Sequence, residues 1–96
     1  MSELRTRILL SVQRALLGEV FPALRAVSVA FTETSLDLRF YVDGPADELD
    51  RESISIVETE VLADFDLGFR VHATVIELRQ PALVPNDGER VFMRRE

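Results

Sequence analysis

The sequence predicts an α+β domain: a small, mainly antiparallel sheet of three to four strands in the order α-β-β-α-β-(β), with two helices packed on one face. Three observations carry this. Ninety-six residues, 47% hydrophobic and 29% charged, support one core and not two. Two segments, 2–17 and 43–66, repeat apolar residues at helical spacing, whereas 25–32, 36–42 and 69–79 alternate at the two-residue period of a strand. The four glycines, at 18, 44, 68 and 88, fall between these segments as punctuation.

In the first helix Ser2 is placed to cap and Glu3 to face the positive end of the dipole. Leu4, Ile8, Val12 and Ala15 share one face, widened by Leu16, while Leu10 and Leu17 point away. Gly18 and Pro22 end the helix. Residues 25–32 read as a half-buried strand with Val27, Val29 and Phe31 on one side. A polar turn at Glu33-Thr34 joins it to 36–42, where Leu36, Leu38, Phe40 and Val42 point inward and Asp37, Arg39 and Tyr41 outward; the two form an antiparallel hairpin.

Asp43-Gly44-Pro45 opens the second helix, with Gly44 or Asp43 as cap and Pro45 near its first position. Ile54, Val57, Val61 and Phe65 form its buried stripe, with Leu62 at the edge. Glu48, Glu52, Thr59, Glu60, Ala63, Leu49 and Ile56 lie on the far side. Asp50 and Glu58 fall near the stripe's edges and need partners, for which Arg39 is a candidate. Residues 69–79 give a third strand, with Phe69, Val71, Ala73 and Val75 on the core face. Its alternation slips at Val75-Ile76, as a bulge would make it do. A loop from Gln80 to Gly88 follows, and 90–93 add a short edge strand.

Charge is concentrated in the second helix. Residues 43–66 hold nine carboxylates against one base, Arg51, for a local charge of −8 in a chain of net charge −6. An acidic balance argues against nucleic acid and for a basic partner. With no cysteine there is neither a disulfide framework nor a thiolate metal site. The apolar run Ile8-Leu9-Leu10 is too short for a signal peptide or a membrane span, so the expected compartment is cytoplasmic.

Catalytic patterns are missing. The isolated glycines build no phosphate loop, and His72, the single histidine, has no cysteine to pair with. A divalent-ion site from Asp43, Asp47 and Asp50, or from Glu48 and Glu52, would be surrounded by further acids where a phosphate-cleaving centre needs bases. The expectation is therefore no catalytic residue, no metal and no cofactor. Acids interleaved with Leu49 and Ile56 have the composition of a docking face for a basic protein, and equally of an ordinary solvated helix face.

The stretches RALLGEVFPALRAVSV (14–29), LDLRFYVDG (36–44) and ESISIVETEVLADF (52–65) resemble small bacterial immunity proteins of contact-dependent growth inhibition and related polymorphic toxin systems. The resemblance covers roughly residues 10–66. It implies a cytoplasmic, non-enzymatic protein that binds a toxin domain delivered by a neighbouring cell, often a basic nuclease, and blocks its active site or substrate surface. Charge and expected exposure, independently of the resemblance, select Asp47, Glu48, Glu52, Ile56, Glu60 and Asp64 as partner-binding residues. The alternative is a homodimeric accessory protein that covers Leu10, Leu17 and a free sheet edge by self-association.

Overall fold

The computed structural model describes residues 3–96. Its elements are α1 (Glu3–Leu16), β1 (Leu24–Phe31), β2 (Ser35–Val42), α2 (Glu48–Ala63), β3 (Arg70–Glu77) and β4 (Glu89–Met93). The predicted α+β class and element order hold; the proposed cap at Ser2 lies outside the described residues. The sheet order is β3-β2-β1-β4. β1 pairs antiparallel with both β2 and β4, while β2 and β3 run parallel. The parallel pair follows from α2, a sixteen-residue crossover that returns the chain to the starting end of β2.

One face of the sheet carries the core. Val27, Val29, Leu36, Leu38, Phe40 and Val42 pack there against Ile8, Val12 and Leu16 of α1 and Ile54, Val57 and Val61 of α2. The inward residues of β2 and the α2 stripe are those expected, with Phe65 half-buried beyond the helix end. Leu10 and Leu17 are 60% and 78% exposed, on the side of α1 turned away from the core.

The opposite face departs from expectation. β1 is not half-buried: every residue from Leu24 to Val29 is buried, on both sides. Tyr41, expected outward, is only 2% exposed. The cause is the connection from β3 to β4. These strands lie at opposite edges, so the chain between them must pass across two strands, and it does so over the face the helices leave free. Asp87 of this connection accepts hydrogen bonds from Tyr41 Oη at 2.7 Å and Arg39 Nη1 at 2.8 Å. At its end Gly88, at φ +57°, is pressed so closely on the Val29 carbonyl oxygen that a Cβ there would overlap it.

The same crossing explains the slip at Val75-Ile76. The β2–β3 register runs without a shift from Ser35↔Arg70 to Val42↔Glu77, so there is no bulge in that pair. Ile76 lies beside Tyr41, on the covered outer face, and is half-buried there. The bulges fall elsewhere: in β1 at Arg25, between Leu24 and Ala26 against β2, and in β4 at Val91, opposite the Val27–Ser28 step of β1. The first leaves Arg25 out of the ladder; its guanidinium donates to the Leu78 carbonyl and to both carboxylate oxygens of Glu96.

Candidate partner-docking surface

α2 begins later than its sequence suggests. The N-cap is Asp47, not Asp43 or Gly44, and Pro45 precedes the helix. Asp47 accepts from the Asp50 amide at 2.8 Å, and Asp50 accepts from the Asp47 amide at 3.3 Å, a reciprocal capping box built from two aspartates. Asp43 closes the sheet end instead: its carboxylate accepts from the Gln80 amide and from Arg94, which together hold its pKa below the usual range. Asp43 is thus separated from Asp47 and Asp50, which are occupied with each other's amides. Among the described residues no group of three or more His, Cys, Asp or Glu side chains could hold a metal ion.

The two carboxylates expected to need partners are satisfied, though not by Arg39, which pairs with Asp37 and Asp87. Asp50 belongs to the capping box. Glu58 leans over β3 and accepts the Ala73 amide at 2.8 Å.

At four-residue spacing, Glu48, Glu52, Ile56, Glu60 and Asp64 form one ridge along α2, roughly 24 Å long at 1.5 Å per residue. Glu48, Glu52 and Glu60 are exposed, and among the described residues no hydrogen bond or ion pair engages their carboxylates. Ile56 is 37% and Leu49 74% exposed. The ends of the ridge differ in kind. Asp47 is committed to the cap. Asp64 accepts from Ser11 Oγ at 2.6 Å and from Arg14 at 2.7 Å, contacts that hold its pKa low and tie α2 to α1.

The last turn of α2 has no basic residue and retains Glu60, a carboxylate facing the negative end of the dipole. Such placement costs the helix about 0.3–1 kcal/mol. Past this turn, Phe65 stacks on Phe69 with ring centroids 4.6 Å apart, and the Arg7 guanidinium lies 5.1 Å over Phe65. This platform carries Leu67, whose side chain is entirely in solvent. The charge-and-exposure reading of the sequence does not select Leu67; its signal is an apolar side chain between Asp66 and Gly68 with no periodic partner. His72 is exposed on the outer face of β3, among Asp37, Arg70 and Thr74 at the mouth of an open cavity.

No helix among the described residues is long and apolar enough to cross a membrane. No curated protein matches the chain. The family model described as MafI2 immunity protein matches residues 5–96, nearly the whole length, and the chain belongs to that family.

Proposed function

We propose that this protein neutralises a cognate toxin domain by binding it through the outer ridge of α2, without turnover. Family membership supports toxin neutralisation as the coarse function. One observation carries the finer reading: Glu48, Glu52 and Glu60 stand exposed beside Ile56 and Leu49 with no partner among the described residues. Asp47 and Asp64 bound the ridge and fix its two ends. A carboxylate row of this length complements the phosphate-binding cleft of a basic nuclease, and the interleaved apolar side chains supply contact area that charge alone does not. Blocking that active site or substrate surface requires no catalysis from the inhibitor, no cofactor, nucleic acid or membrane, and it takes place in the cytoplasm, where a delivered toxin acts.

The second reading is self-association as a homodimeric accessory protein, favoured by the exposed Leu10 on α1 and Leu17 just past its end. Co-expression with the product of the adjacent upstream reading frame, only one of the two tagged, separates them. The toxin reading predicts a stable complex that dissociates as salt is raised. A protein that purifies alone as a dimer contradicts it.

A further inference from the structure

Independently of that reading, we propose that Glu58 guards the open edge of β3 against strand addition by a second copy of this chain. β3 is an edge strand whose even-numbered neighbours Arg70 and Leu78 donate their amides to Thr34 and Val42, toward β2. Alternation therefore turns the amides and carbonyls of Val71, Ala73, Val75 and Glu77 away from the sheet. Such a row is a template for another strand.

The segment at risk is readable. Val71 to Ile76, VHATVI, has no carboxylate, lysine, arginine, proline or glycine, and three of its six residues are valine or isoleucine. It also suits pairing with itself. An antiparallel pair of copies centred on Thr74 sets Ala73 opposite Val75 and keeps Val71, Ala73 and Val75 of both chains on one face.

Glu58 interrupts this template at its middle. Its Oε2 takes the Ala73 amide at 2.8 Å, the position a neighbouring strand's carbonyl would occupy. A carboxylate reaching over the edge from α2 also sets a negative charge against any strand that approaches. Arg70 and Glu77 close the uncharged segment at both ends, as flanking charges do beside aggregation-prone runs.

The test compares wild type, Glu58→Ala, Glu58→Gln and Glu58→Ala/Val75→Lys by sedimentation across a hundredfold concentration range, with amide exchange read at β3. Glu58→Ala should gain a concentration-dependent association absent from wild type, with at least tenfold slower exchange at Val75 and Glu77 in the associated form. Val75→Lys should abolish that association, and Glu58→Gln, whose amide oxygen still accepts from Ala73, should self-associate less than Glu58→Ala. The proposal is overturned if Glu58→Ala sediments as wild type does, if it unfolds, if its association survives Val75→Lys, or if wild type already pairs through β3.

Discussion

At the scale of single residues, the fold depends on carboxylates held by specific donors rather than on surface ion pairs. Asp87, on the crossing chain itself, has one oxygen bonded to Tyr41 and Arg39, while its other oxygen is buried without a partner among the described residues. Tyr41 and then Arg39 lower its pKa against the effect of burial. Removing the Tyr41 hydroxyl would leave a half-buried carboxylate short of its first donor. Tyr41→Phe should therefore lose about 1–3 kcal/mol in urea unfolding. The acid limb of stability follows from the same chemistry. Asp43, Asp64, Asp87 and Glu96 all have lowered pKa values, Glu96 falling to about 2 through Arg25. A lowered folded pKa contributes stability above the unfolded value and loses it as pH falls through the folded one. The urea midpoint should hold at neutral pH and decline steadily from near pH 4.5 towards pH 2. On the alkaline side, burial and then the bond to Asp87 push Tyr41 up to about 12, so its contribution is complete below pH 10 and lost between 10 and 12. Tyr41→Phe should abolish that alkaline decline, since this is the chain's single tyrosine. A midpoint flat from pH 4.5 to 2 would contradict the acid half of the account.

At the scale of elements, α2 is secured at one end and not at the other. Its start is secured by Asp47, and Asp47→Ala should cost about 1 kcal/mol by thermal unfolding. Its end is not optimised, because Glu60 opposes the dipole in the last turn. Glu60→Gln should raise stability by about 0.3–1 kcal/mol and weaken toxin binding, measured on one preparation by melting and calorimetry. A helix face that served solubility alone would show the first change without the second. The elements also mark what the sequence could reveal. Period and punctuation located all six, because Leu36 to Val42 alternate cleanly and Ile54, Val57 and Val61 keep helical spacing. The start of α2 was less legible, since Asp43, Gly44 and Asp47 are each acceptable caps, and only the reciprocal bond between Asp47 and Asp50 decides among them. The apparent bulge at Val75-Ile76 had a tertiary cause: Ile76 lies on the outer face that the 78–88 connection covers, whereas Val75, on the opposite face, stays exposed, and no local rule encodes that.

At the scale of the whole molecule, strand order determines which surfaces remain for a partner. Setting β3 and β4 at opposite edges draws the 78–88 connection over the outer sheet face and buries Tyr41, which a pattern of alternation marks as exposed. Both helices occupy the other face, and the outer side of α2 carries the exposed acids Glu48, Glu52 and Glu60. The concentration of acids in α2 was legible from composition. Which of them are uncommitted was not, because Asp47, Asp50, Glu58 and Asp64 look identical in sequence to Glu48, Glu52 and Glu60 until their donors are seen. The central claim is that these free carboxylates bind the toxin. The most direct measurement is the affinity of the co-purified toxin domain for wild type and for Glu52→Arg/Glu60→Arg, by calorimetry at several salt concentrations. The account predicts that the double reversal weakens binding at least a hundredfold at low salt and flattens its salt dependence, with the fold unchanged by circular dichroism. Equal affinity and equal salt dependence in the two proteins would contradict it.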